Sequence, residues 1–258
     1  TEVYGGAIYS TWLDRPLSIA GRIALKNPQS AHPRLKLVDF KRPVAVLPNL
    51  AIHLNRAMND GVALNAQTDL LPICGMDEHM DTDTFLQILA NETGEKPEDI
   101  LCFDLSVYHY AEPVRTGFSG DMFMAPRIDN ISSVQACLTG LIEANPSDGI
   151  SVAVLFDHEE IGSRSKNGAN GNLLSYTLER ICNALNISRE NFLQSLVHSY
   201  YLSLDVAHAI HPAHPEKSDI TSAMPLNRGF AIKASAKHAY CSDDDMTGVI
   251  LQLAARHH

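Results

Sequence analysis

From about residue 114 onward, short apolar segments alternate with longer segments of helical periodicity, and this order constrains the fold more than any other feature. Helices are predicted at 127–145, 171–185, 188–202 and 244–258, and strands at 149–160, 203–210 and 229–238. Strands that alternate with helices of this length predict an α/β fold with a largely parallel sheet. The carboxyl ends of strands in such a sheet are where functional sites assemble.

The first part of the chain, residues 1–113, reads differently. Strand-like segments rich in β-branched and aromatic residues occur at 5–15, 17–26, 35–47 and 101–110, with predicted helices at 49–61 and 81–94. Asp81 or Thr82 is a candidate cap of the second helix, and Gly94 is a candidate stop. We therefore predict two domains, a β-rich one over 1–113 and an α/β one over 114–258.

Charge and cysteine usage exclude several classes of protein. The net charge is −10 and the basic residues are dispersed, which argues against a nucleic-acid partner. No apolar run is long enough to span a bilayer and no signal-peptide pattern is visible, so no membrane partner is expected. The five cysteines are odd in number and form no CxxC motif, which fits reduced thiols and a cytoplasmic protein.

The stretch VLFDHEEIGS, residues 154–163, ends an apolar strand-like run in four ionisable residues. Charges at the end of a core strand are costly unless they are solvated, paired or bound to metal. One reading is a solvated turn at a strand end. The other is that one glutamate binds a cation while the other accepts a proton from a metal-activated water.

Two further strand-end or helix-start carboxylates accompany this stretch. Asp129 precedes a predicted helix and, taken alone, is most simply an N-terminal cap. Asp205 is followed by His208, His211 and His214, and prolines exclude a helical zinc motif there. These histidines, His214 above all, could simply be hydrogen-bonded in a loop, and His53 on its apolar segment is by itself unremarkable. Together, however, the carboxylates of Asp129, Glu160 and Asp205 suggest a centre for two cations, completed by histidine.

Five motifs carry a resemblance to a known family. TWLDRPLSIAGRI, PNLAIHLNR, APRIDN, FDHEEIGS and DVAHAIHPAHPEK occur in the order and approximate spacing of the aspartyl aminopeptidase family of binuclear zinc exopeptidases. The resemblance covers nearly the whole chain. It implies a β-rich dimerisation domain over 1–113, and over 114–258 part of a zinc-exopeptidase-like αβα catalytic domain with a mostly parallel mixed sheet.

The resemblance also implies roles for individual residues. Glu159 matches the general base, and His53 matches a histidine that reaches the active site of the neighbouring subunit. The matched metal ligands are Asp129, Glu160 and Asp205. His208 and Lys233 match positions near the pocket for the first side chain of the substrate, where positive charge favours Asp or Glu.

The chain also departs from the family. Family members are longer, and their HTDSP-like and MHSIRE-like segments, each with a metal-binding histidine, have no counterpart here; the family's NANQRYATD is SAKHAYCSD, residues 235–243. The chain therefore resembles an internal portion of such an enzyme.

The resemblance implies a metalloaminopeptidase with two divalent ions, zinc with cobalt or manganese as alternatives. Its expected partners are peptide substrates with acidic N-terminal residues and further copies of itself, in dimers that build up to a dodecamer. Two alternatives stay open at this point: an aminopeptidase that prefers neutral residues, and a non-catalytic self-assembling protein of the same fold.

Overall fold

The computed structural model describes residues 1–77, 79–145, 149–237, 240 and 242–257. The chain forms two compact units. The first unit contains Thr1–Pro126 and Glu160–Gly162, and the second contains Arg127–Glu159 and Ser163–His258. The domain boundary predicted after residue 113 stays a prediction.

The first unit is built on a three-stranded antiparallel sheet. Its strands are β1 (Leu17–Leu25), β2 (Arg34–Asp39) and β3 (Ile100–His109), in the order β2-β1-β3. Alternate residues of β1, including Ile19 and Ile23, point into the core, as the period of two along a strand requires. The strands predicted at 17–26 and 101–110 are confirmed, and the one predicted at 35–47 is confirmed over the residues of β2.

Helix α1 (Thr82–Thr93) covers this core face of the sheet. The Asp81 carboxylate accepts a hydrogen bond of 2.8 Å from the Thr84 N–H, and Gly94 ends the helix in the left-handed conformation. These are the cap and the stop that the sequence predicts. Leu89 is fully buried and packs in the same cluster as Ile23.

Two other predictions for the first unit are wrong. Residues 49–61 form turns and a short 3-10 helix, Met58–Asp60, in place of a helix. Leu50 and Leu54 are mostly exposed, so the apolar side of this segment lacks the packing that stabilises short helices. Residues 5–15 do not form a strand: they contain the short 3-10 helix Tyr9–Thr11 and a single isolated strand-type bridge, from Leu13 to Leu47. A small hairpin of β4 (Val114–Thr116) and β5 (Met122–Met124) completes the described strands.

The second unit contains the four helices that the sequence predicts in it. They are α2 (Ile128–Glu143), α3 (Leu173–Ala184), α4 (Arg189–Val197) and α5 (Asp244–Arg256). Ser188 and Asp243 cap α4 and α5, each by accepting a backbone N–H of the first turn. Together with the sheets of the first unit, these helices give the chain its α/β character.

The predicted strands of the second unit are not formed as strands. In the described parts of 149–160, 203–210 and 229–238 no sheet ladder is present, and the sheets among the described residues are antiparallel. Apolar composition indicates that a segment can be buried in a sheet, whereas a strand also needs the backbone of a neighbour in register. Val152 and Leu155 are accordingly about half exposed, at 47% and 49%.

Two expectations from composition can be compared with the structure. Over the described ranges, every helix is too short or too polar to cross a membrane. Cys74, Cys102, Cys137 and Cys182 are free thiols, and Cys241 lies outside the described residues.

Candidate functional site

A turn at the end of the predicted strand 149–160 presents Glu159 to solvent. Glu159–Ile161 form a 3-10 helix, and His158 just before it adopts a left-handed conformation with φ 61°. The Ser163 N–H closes the turn by donating to the His158 carbonyl at 2.8 Å. An exposed carboxylate on a closed turn can accept a proton from a bound water, which is what a general base must do.

The carboxylate of Asp205 lies against the ammonium group of Lys233. The Nζ atom donates to Oδ2 over 2.7 Å, and the Val206 N–H donates to Oδ1 over 2.8 Å. The hydrogen bond from Lys233 is the main reason why the pKa of Asp205 lies below its ordinary value. Because the Asp205 side chain is 56% exposed, the pair contributes little to stability.

Asp129 and His208 share this electrostatic environment. The hydrogen bond to Asp205 is the largest cause of the raised pKa of Lys233, and the charge of Asp129 adds a smaller upward contribution. A charge on His208 likewise favours the ionised form of Asp205, after the effect of Lys233. The fold thus brings Lys233 into contact with Asp205, 28 residues away in sequence, and the charges of Asp129 and His208 act on this pair.

Asp129 sits at a break in the helical conformation. It is in the first turn of α2, where its φ and ψ of −80° and 107° are not helical. Its exposed carboxylate is therefore not committed to capping the helix, because the residue at the N-cap position is Arg127.

The two later histidines of the loop interact with each other. The rings of His211 and His214 have centroids 5.0 Å apart, and Nδ1 of His214 lies 3.3 Å from Oε1 of Glu216. These contacts agree with the reading of His214 as a hydrogen-bonding group of the loop.

Glu160 and His53 belong to the first unit. Glu160 is exposed and lies close to Gly5. A Cβ atom added to Gly5 would be only 3.0 Å from the Cβ of Glu160. His53 is exposed in the turn region of residues 49–61. Their proposed roles next to Asp129 and Asp205 stay predictions.

The donor chemistry of these residues fits zinc, since carboxylate oxygens are among its common ligands. In the described ranges, however, no three His, Cys, Asp or Glu side chains are grouped as a metal site. A catalytic zinc ion takes three protein ligands. The carboxylates are thus suitable zinc ligands, but the described residues do not form a complete metal site.

We expect the 258-residue chain on its own to bind zinc weakly, because its described side chains do not group the three ligands that a catalytic zinc ion takes. Elemental analysis after dialysis against a mild chelator should find much less than one zinc ion per chain. Stoichiometric zinc that survives this treatment would contradict the expectation.

The structure adds residues that the sequence did not single out. The Lys233 ammonium lies 5.5 Å from the centroid of the Tyr240 ring, and the Ser242 hydroxyl donates to the Lys233 carbonyl. Ser165 contacts the ring of His158. The only sequence signal for Ser165 is that it lies in a polar, glycine-containing loop directly after the DHEE motif.

Comparisons with known proteins agree in one family. A family model described as aminopeptidase I zinc metalloprotease (M18) matches residues 1–258. A "Probable M18 family aminopeptidase 2" from Clostridium novyi is 42% identical over an alignment of 258 residues, which covers 99% of this chain and 60% of the relative.

Solved structures give the same result for the fold. A chain in a cryo-EM structure of the Ape4 and Nbr1 complex superposes with a TM-score of 0.86 and 30% identity, over 98% of this chain and 53% of that one. The mApe1 dodecamer of S. cerevisiae matches with a TM-score of 0.78 and 25% identity, over 98% and 58%. The chain thus spans about three fifths of the length of the curated relative, at 60%.

Proposed function

Because this chain belongs to the aminopeptidase I zinc metalloprotease family (M18), we propose that its protein is a metalloaminopeptidase that removes the N-terminal residue of peptides. The observation that best supports the proposal is the 2.7 Å contact of Lys233 with Asp205 in the second unit, with the charges of Asp129 and His208 acting on this pair. Asp129, Asp205 and Lys233 belong to three separate segments of the chain, and an unrelated role would not require their charges to interact.

In the proposed reaction three carboxylates bind metal and a fourth transfers a proton. Asp129, Glu160 and Asp205 would hold two divalent ions, with zinc as the ion that the family description names. Zinc, when bound, supplies Lewis acidity that lowers the pKa of the attacking water. Glu159 accepts a proton from that water and delivers it to the nitrogen of the leaving amine.

We further propose that the protein works as a homo-oligomer. The structure of S. cerevisiae mApe1 is described as a dodecamer, and dimers could build the same assembly here. His53 of the partner subunit would then donate a hydrogen bond to the oxyanion that forms at the scissile carbonyl. In this arrangement the β-rich first part of the chain is the dimerisation domain.

In the complete protein, we propose that residues 114–258 form part of an αβα catalytic domain. The apolar part of segment 149–160, before the turn at His158, would then pair with segments 203–210 and 229–238 in its mostly parallel mixed sheet. We also propose a cytoplasmic location, in keeping with the free thiols.

The proposed preference for acidic N-terminal residues rests on His208 and Lys233. We expect kcat/KM of the complete protein to be at least about 10-fold higher for Asp- and Glu-terminal peptides than for Leu-terminal ones, since a charged contact distinguishes substrates more sharply than an apolar one. Lys233→Met should reduce that ratio, and Lys237→Met in the same segment should leave it unchanged. A wild-type preference for the Leu-terminal peptide would instead favour the aminopeptidase for neutral residues.

A further inference from the structure

The turn that carries Glu159 is hydrogen-bonded to the loop that follows it, residues 163–171. The ring of His158 makes the contact at one end, where Nδ1 lies 2.6 Å from the Ser165 hydroxyl oxygen. Its other nitrogen, Nε2, lies 3.6 Å from a carboxylate oxygen of Asp157. With 31% of its side chain exposed, the ring is held between two polar groups and not free in solvent.

Backbone hydrogen bonds join the same two segments. The Asp157 N–H donates to the Asn167 carbonyl at 3.1 Å, and the Asn170 N–H donates to the Ser163 carbonyl, also at 3.1 Å. Gly168 is buried, and a side chain there would collide with the backbone of Ser163. The loop is therefore packed closely against the turn along its length.

The left-handed conformation of His158 explains why these hydrogen bonds between turn and loop matter. A non-glycine residue with φ of 61° is in a sparsely populated region, and surrounding contacts must hold it there. The residue after it is Glu159, so the backbone direction at His158 determines where the Glu159 carboxylate points.

We propose that Ser165 and His158 are positioning residues for Glu159. The Ser165 hydroxyl anchors the His158 ring, the ring fixes the left-handed backbone at position 158, and this backbone aims the Glu159 carboxylate. The inference rests on the proposed function of Glu159 as general base. It assigns no contact with substrate to either residue.

The first test compares three variants of the complete protein. Ser165→Ala should lower kcat by about 10- to 100-fold with KM within about 2-fold, because a slightly misplaced base slows the chemical step but does not weaken substrate binding. Ser165→Thr keeps the hydroxyl and should restore most of the rate. Ser175→Ala, at a serine on α3, is the matched control and should behave as wild type. A wild-type kcat in Ser165→Ala overturns the inference.

The second test does not depend on turnover. The Ser163 N–H closes the turn on the His158 carbonyl, so its hydrogen exchange reports how firmly the turn is held. In Ser165→Ala, this amide should exchange about 3- to 10-fold faster than in wild type, as the loss of one hydrogen bond predicts. If the wild-type protein has no aminopeptidase activity, the proposed function fails, and the exchange rate alone decides whether Ser165 holds the turn. An unchanged exchange rate overturns the inference in that case also.

Discussion

Glu159→Gln in the complete protein is expected to lower kcat by about 10²- to 10⁴-fold while bound zinc stays at the wild-type level. The amide has nearly the same shape as the carboxylate but cannot accept the proton of the attacking water, so the general-base contribution is lost. Glu159 is exposed on a turn that backbone hydrogen bonding closes, so the substitution removes no buried contact and should not impair folding. Steady-state kinetics with an Asp-terminal peptide and elemental analysis of the same sample measure both quantities.

The adjacent Glu160→Gln is the matched control. The substitution is the same and lies one residue along the chain, but the expected defect differs, because an amide is a much poorer zinc ligand than a carboxylate. Zinc content should fall together with activity in Glu160→Gln. If Glu159→Gln turned over at the wild-type rate, the base would have been assigned wrongly, and a wild-type protein without turnover would favour the non-catalytic assembly protein.

Leu89→Ala is expected to destabilise the first unit by about 2–5 kcal/mol. Leu89 is fully buried between α1 and the sheet, in the cluster that contains Ile23 and Val38. Its truncation removes apolar contacts and leaves a cavity that close-packed neighbours fill only partly.

Trp12 offers a convenient probe for this prediction. It is the single tryptophan of the chain and packs against a second buried cluster of the first unit, so its fluorescence follows that unit. This cluster consists of Leu13, Leu17, Ala45 and Leu47. The urea midpoint should fall clearly in Leu89→Ala. Leu37→Ala on the sheet surface, where the side chain is 82% exposed, should shift the unfolding free energy by no more than about 0.5 kcal/mol. Equal shifts in the two variants would show that the core has been placed incorrectly.

Elements defined by local signals could be predicted from sequence alone. Helix α1 is the clearest case, because Asp81 and Gly94 act on the backbone groups of their own helix ends. The four helices of the second unit and strand β1 also carry their periodicity within the segment. The prediction failed at 49–61, where helical spacing was present but no surface covered the apolar side.

The strands of the second unit show the limit of the same reasoning. Val152 and Leu155 belong to a segment with the composition of a buried strand, yet their backbone has no ladder among the described residues. Strand pairing depends on a partner distant in sequence, which local composition does not specify.

The sequence by itself determined which residue types are available for chemistry, because the DHEE motif and the carboxylates at 129 and 205 can be read without coordinates. Only the tertiary structure decided what lies beside them. Lys233 meets Asp205 across 28 residues of chain, and Ser165 meets the His158 ring because the loop folds back over the turn. The physical reason is range: capping and periodicity act within a few residues, whereas side-chain hydrogen bonds and charge interactions act through space.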